Sequence, residues 1–469
     1  MSDELKLKVP ALAKMTSDKV YAFIVMAFMV FLPVAEIITE IMTKNKIKVF
    51  GPRPPYPSYF QPYIVGVFGG VLALVIILTF ISRIVNGFKF YVADVFFFTL
   101  LGFMLLSMFC SVNFGVFAGG SKFYCERPEI FLCYYCLYFA GTMIEDSALR
   151  KKLFFTYFAV AIIQGVVAFL QTYKIEIAYC LYFSNRVSSR AAYGLLQNTN
   201  FYGTLSCLLT AILSGLFIFS SKLFKSKALK WITYVAALFV FYTMIGSCAR
   251  LAWLGFAGMN AAYVISLIIM RKSTMDKESL KKITIDYIIM LAGYIVIIAL
   301  AVLFTNFITG RIKATVNDTL SKNVSDKDFG HGRGKIWKTE IECIKRHWVT
   351  GIGLDNLAQA FREMPGWKRG DYVQDKGHNE YLHLAATQGI FALINYLSLI
   401  IYAVSTAVKR IFKEKDDVKR CLLWICVTSV AAYLCQAMLS SSIMNVAPYF
   451  WIILGLTTPR TKPISFKKG

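Results

Sequence analysis

Apolar stretches of about 20 residues recur from one end of this chain to the other, and they constrain its fold more than any other feature. Twelve can be delimited, near 20–41, 62–82, 94–112, 128–145, 153–171, 201–220, 231–247, 250–270, 284–306, 389–408, 421–440 and 443–458. About 20 helical residues cross the roughly 30 Å hydrocarbon core of a bilayer. Backbone groups must pair internally in lipid, so such runs are helices. The fold class expected is an all-α polytopic membrane protein with about twelve transmembrane helices. Composition agrees, since 57% of the 469 residues are hydrophobic and 15% aromatic, beyond the apolar share of a soluble domain.

Lys and Arg concentrate in the cytoplasmic loops of membrane proteins, which orients the chain. With the N-terminus inside, cytoplasmic segments such as "KSTMDKESLKK" and "KRIFKEKDDVKR" hold 28 of the 51 Lys and Arg, and the short outer loops hold ten. The other thirteen lie in one long outer segment, 307–388, and long loops translocate regardless of charge. Both termini are therefore expected in the cytoplasm. The first helix, preceded by Lys6, Lys8, Lys14 and Lys19, is too long for a signal-peptide core and reads as an uncleaved anchor. Three parts follow: 1–306 with helices one to nine, the extracytoplasmic loop 307–388 with amphipathic helices, and 389–469 with helices ten to twelve and a cytoplasmic tail.

Several function classes are disfavoured. The net charge of +24 is accounted for by topology and by membrane lipids with anionic head groups; no compact basic domain stands apart to bind nucleic acid. Cys133 and Cys136 form a lone C-x-x-C within a predicted helix, without the second pair of a zinc site. A solute transporter gathers charges at mid-membrane, whereas here the predicted helices carry few, chiefly Glu36 and Glu40.

Polar residues gather instead toward the outer face. "NRVSSRAAYGLLQNTNFYG", 185–203, supplies Arg186, Arg190, Asn198 and Asn200 without a carboxylate. Guanidinium groups bind phosphate oxygens bidentately, so this loop suits a diphosphate; it reads equally as an interfacial loop with snorkelling arginines. Arg250 falls in "IGSCARLAWLGF", between two apolar runs, as a helix-end anchor or an anion ligand. In the long segment, "DFGHGRGKIWKTEIECIKRHWVTGIG" sets glycines around His331 and Arg333. Trp337, Ile341, Ile344 and Trp348 then recur at helical spacing, predicting a helix that lies against the membrane or caps a cavity. All four histidines, His331, His347, His378 and His383, belong to this segment, and "DKGHNEYLHLAATQGIFAL" places His378 where the loop meets the next membrane helix. Trp367 and Tyr372 read as sugar-stacking residues or as interfacial anchors.

"SCARLAWLGF", "GRGKIW", "GIGLDNLAQAF" and "HNEYLHLAATQGIFAL", in that order, resemble the signature blocks of the O-antigen ligase and O-antigen polymerase superfamily, and "QNTNFYG" is similar to that family's Asn-rich block. The resemblance spans roughly 185–400 and departs from the usual ligase pattern at Thr199, where Pro is common. It implies a GT-C type glycosyltransferase of the cell (plasma) membrane with an extracytoplasmic active site. The implied donor is a glycan on polyprenyl (undecaprenyl) diphosphate and the implied acceptor another lipid-linked glycan, a lipid core or a protein hydroxyl; neither cofactor nor metal is implied. By position, Arg250, Arg333 and His378 correspond to the family's functional Arg, Arg and His, and Arg190 to its outer-loop Arg, with Arg186 competing for that place.

A sugar diphosphate already carries a good leaving group, so the barrier lies in charge growing on the departing phosphate, which preorganised cations stabilise. Arg190, Arg250 and Arg333, with Arg186, are the clamp expected. The acceptor hydroxyl must lose a proton, and imidazole has the ordinary pKa nearest neutrality. Two roles are open to His378, general base or additional cation. Asn379, Glu380 and Asn200 are supporting candidates, and His383 a structural one. Polymerisation and ligation use the same donor site, and polymerisation is favoured slightly. A lipid-linked oligosaccharide flippase, the non-enzymatic alternative, needs cations along a cavity open to both sides.

Overall fold

The computed structural model describes residues 15–44, 60–113, 126–175, 191–196, 198–272, 276–304, 309–310, 333–364, 373–460 and 463–464, with side chains described for these except at 39–44 and 304. Each of the twelve apolar runs forms a helix. They are α1 (Asp18–Lys44), α2 (Gln61–Val85), α3 (Val92–Phe109), α4 (Pro128–Met143), α5 (Ser147–Thr172), α6 (Thr199–Ile218), α7 (Lys227–Gly246), α8 (Arg250–Arg271) and α9 (Lys277–Phe304). Between α9 and the remaining apolar helices come α10 (Arg333–Arg346), α11 (Leu357–Arg362) and α12 (Glu380–Gln388). Then follow α13 (Ile390–Lys413), α14 (Asp417–Ala437) and α15 (Ala447–Thr457).

Side-chain caps start several of these helices where the sequence changes from polar to apolar. Asp146 accepts from Leu149 N at 2.8 Å to open α5, Asn198 from Asn200 N at 2.8 Å to open α6, and Asp416 from Val418 N at 2.9 Å to open α14. Each carboxylate or amide oxygen satisfies one of the backbone N–H groups that the first turn of a helix leaves without an intrahelical partner.

Among the described residues ten helices are long and apolar enough to cross a membrane, two fewer than the runs suggest. The exceptions are α4, with 16 residues, and α15, with 11. They pack against each other inside the bundle, and α15 is buried throughout. Irregular backbone is tolerated at membrane depth when protein surrounds it, so a helix enclosed by others need not span the bilayer alone. Helix α6 is enclosed too, every residue from Phe201 to Ile218 being buried among α5, α7, α8 and α14. The outer helices α2 and α9 instead expose Leu74, Ile77, Ile295 and Leu303, side chains suited to lipid contact. Glu36 is buried in α1, and Cys133 and Cys136 pack as small apolar groups in α4.

Helices α10 to α12 form a second, smaller core at one end of the bundle, built from Ile336, Cys343, Ile352, Leu357, Phe361 and Ala386. The predicted amphipathic helix is there, but its buried stripe is Ile336, Glu340 and Cys343. Ile341 and Trp348 are 43% and 53% exposed, and Trp348 meets Phe391 at the start of α13 with ring centroids 5.6 Å apart. The apolar residues anticipated as one contact face are thus divided between the small core and an open rim. Backbone bonds from Ile352 N to Ala386 O and from Gly353 N to Thr387 O hold this unit together, and Val112 N to Ile352 O and Ile390 N to Trp348 O join it to the bundle.

Candidate functional site

Arg250 is the first residue of α8, reached from α7 by a turn of three residues. Cys248 closes the turn at φ +55, and its N–H donates to Ile245 O at 2.9 Å. Helix α6 begins beside this turn: a methyl group added at Gly203 would lie 2.5 Å from Ala249 Cβ, so the absent side chain permits the approach. The same end of α6 holds Asn200, and Thr204 one turn on shares a hydrogen bond of 3.1 Å with Ser440. The α14–α15 connection therefore lies against α6, where Ser441 Oγ accepts the backbone N–H of His378 at 3.0 Å.

His378 adopts φ +51, a left-handed conformation uncommon for a residue with a side chain, though His is among those enriched there. Its Nε2 lies 2.7 Å from Nε2 of Gln374. Removal from water, and then the charge of Arg333, push its pKa down to about 4. Arg333, the first residue of α10, has its own pKa lowered by burial and then by the charge of Arg250. Those electrostatic effects chain the three together, Arg250 acting on Arg333 and Arg333 on His378. Among the described residues no carboxylate pairs with Arg333. The result is an electropositive centre beside a neutral imidazole, assembled from three places far apart in sequence.

Not every anticipated residue takes part as expected. Arg186 and Arg190 lie outside the described residues, as do His331, Trp367 and Tyr372. Asn379 caps α12, its Oδ1 accepting from Tyr381 N and Leu382 N, both at 3.1 Å. Glu380 is buried and accepts from Tyr396 OH at 3.1 Å and Tyr433 OH at 2.8 Å. Both carboxylate oxygens are thus engaged by tyrosines, and Gln374 is the side chain that meets the His378 ring. Burial raises Glu380 to about 7.

His383, the expected structural histidine, belongs to a polar cluster close to His378 whose other pairings the sequence did not show. His383 Nδ1 is 3.2 Å from Glu340 Oε1. Burial pushes Glu340 up to about 8 and His383 well below the ordinary histidine range, so the contact is a protonated carboxyl donating to a neutral ring rather than an ion pair. Lys376 forms a buried ion pair with Glu126. The backbone N–H of Glu126 donates to Asp355 Oδ2 at 3.1 Å, and Tyr134 OH donates to its carboxylate at 3.3 Å. A cavity of about 40 Å³ touches Glu126, Tyr134, Glu380, His383 and Tyr396; that is space for about three waters and too little for a sugar. His383 and Glu380 were named from the sequence; of the others, Glu340 had a signal that went unread, because 336, 340 and 343 share a helical face with a carboxylate at its centre.

No curated protein matches the chain. Residues 235–397 match the family model described as O-Antigen ligase, an interval holding Arg250, Arg333, His378, Asn379 and Glu380 but beginning after Asn200, Arg190, Arg186 and Glu126. That interval runs from α7 to α13 and carries the three charge-linked residues, and over its length, about a third of the chain, the match supports an assignment to the O-antigen ligase and polymerase superfamily.

Proposed function

We propose that the protein is a glycosyltransferase that moves a glycan from a polyprenyl diphosphate to a hydroxyl of a second glycan at the extracytoplasmic face of the plasma membrane. The observation that carries this reading is that Arg250, on the turn packed against α6, and His378, whose N–H reaches Ser441 beside the same end of α6, stand there with Arg333 near enough for its charge to act on the imidazole and for that of Arg250 to act on Arg333. Two guanidinium groups suit the donor's diphosphate. A neutral imidazole suits an acceptor hydroxyl, which enters at Nε2 in place of the Gln374 amide.

In this mechanism the acceptor O–H bond breaks and its proton passes to His378. The acceptor oxygen bonds to the anomeric carbon while the bond from that carbon to the diphosphate oxygen breaks, its electron pair leaving with the diphosphate. Arg250 and Arg333 meet the charge growing there, and the proton on His378 then passes to a diphosphate oxygen. Fixed cations supply the electrostatic stabilisation, so the mechanism calls on no metal, and Arg190 and Arg186 are further donors proposed for the clamp. Removing one such preorganised donor costs on the order of 100- to 1000-fold in rate.

The test is transfer from a polyprenyl-diphosphate glycan by reconstituted protein, comparing wild type with Arg250→Ala, Arg333→Ala and His378→Ala. Each variant is expected to lose on the order of 100-fold or more in kcat; full turnover in all three refutes the mechanism. Deleting the gene separates the two acceptor classes. Single repeat units at the cell surface identify polymerisation, the outcome we favour, and long chains left on polyprenyl diphosphate identify ligation.

A further inference from the structure

We infer that the buried Lys376–Glu126 pair is a positioning device for His378, setting where the imidazole stands relative to the donor; this rests on the catalytic reading of His378 above. Three consecutive residues are each held by a different part of the molecule. Lys376 is held by Glu126, which precedes α4. Gly377 O accepts from the indole N–H of Trp337 on α10 at 3.0 Å, and His378 N–H donates to Ser441, between α14 and α15. Glu126 is itself fixed by the backbone bond to Asp355 and the hydroxyl of Tyr134.

Their packing leaves little freedom. Lys376 and Glu126 have side-chain exposures of 1% and 2%, so neither charge can turn to water. A methyl group at Gly377 would collide with the Glu340 carboxylate, so the backbone here runs directly over α10. Pinning residues 376, 377 and 378 separately determines the direction from which the left-handed His378 projects. A buried ion pair is weak evidence for stability, since apolar replacements of similar volume often serve as well, but it can specify geometry. Here it joins the start of α4 to the loop that bears the imidazole, two segments 250 residues apart in sequence. Lys376 and Glu126 touch neither reactant in this account; they act through His378.

The experiment uses the full-length protein in proteoliposomes with a polyprenyl-diphosphate glycan donor. The double variant Glu126→Gln/Lys376→Met removes both charges together and leaves no orphan ion. Trp337→Phe, a milder change, removes the indole N–H and keeps an aromatic, though smaller, side chain. A misplacement of about 1 Å costs on the order of 100-fold in rate, so the double variant is expected to lose about that in kcat with donor KM unchanged. Trp337→Phe is expected to lose roughly 10-fold in kcat, with the acid limb of its pH–rate profile displaced. Wild-type kcat in either folded variant overturns the inference; if the double variant does not fold, Trp337→Phe decides alone. An equal rise in donor KM with kcat retained also overturns it. His378→Ala is the control that separates the two levels: if it keeps full activity, the catalytic reading itself has failed.

Discussion

Replacing Arg333 by Gln should move the pH dependence of glycan transfer in a direction that the site dictates. His378 is held at about 4 rather than 6.5, first by removal from water and second by the charge of Arg333. That fall corresponds to about 3 kcal/mol, or roughly a 300-fold loss of proton affinity. A general base must be unprotonated in the free enzyme, so kcat/KM of the wild type should be level above about pH 5 and fall tenfold per pH unit below about pH 4. In Arg333→Gln the charge effect is gone and the burial effect remains, so the acid limb should shift upward yet stay below 6.5. The height of the curve should also fall, on the order of 100- to 1000-fold, because a donor to the departing phosphate has been removed. The assay is initial transfer rate in proteoliposomes at donor concentrations below KM from about pH 3 to about pH 8, with circular dichroism confirming the fold at each pH. A wild-type limb near 6.5, or a variant limb that stays put or moves down, refutes the reasoning. The same shift acts on stability. The folded pKa is depressed, so the contribution of His378 is fully present above pH 6.5 and is lost as pH falls toward about 4.

Two further outcomes are expected. Burial raises Glu340 to about 8, above its ordinary 4.5, so its contribution to stability is complete below about pH 4.5 and is lost as pH rises through about 8; Glu340→Gln should flatten the dependence of Tm on pH across that window, and an unchanged slope counts against a protonated Glu340. Asp94 is buried and accepts from Arg83 and from Arg460, both at 2.8 Å, so Asp94→Asn should destabilise the fold by about 3–5 kcal/mol, measured by denaturation in detergent; a change below about 1 kcal/mol contradicts the account of a structural charge cluster at that end.

The linear pattern carried the main elements a long way. Continuous apolar runs located all twelve bundle helices, because a helix facing lipid or enclosed by its neighbours must be apolar along most of its length. Arg250, Arg333 and His378 stand out in the sequence because each lies at a junction between polar and apolar stretches, where a charged or titratable group is conspicuous; their part in catalysis is the proposal made above. Trp337 and Ile344 were read as part of one contact face, yet the buried stripe runs through Ile336, Glu340 and Cys343; a helix with a rim partly open to the membrane shows apolar side chains on more than one face. The pairs Glu126–Lys376 and Glu340–His383 had no pairing signal, since nothing in a linear order tells which of 27 acidic residues will meet which base.

By itself the sequence determined the solvent this chain is built for, the helical state of its apolar runs, and where its arginines and histidines stand along the chain. Hydropathy and backbone hydrogen bonding act locally, over the length of one helix, so a linear reading reaches them. Only the tertiary structure decided that α4 and α15 are enclosed short helices, that Arg250 and Arg333 come near one imidazole, and that this imidazole is neutral. Those outcomes depend on distances and desolvation between segments tens to hundreds of residues apart, and they exist only once packing has removed water from between them.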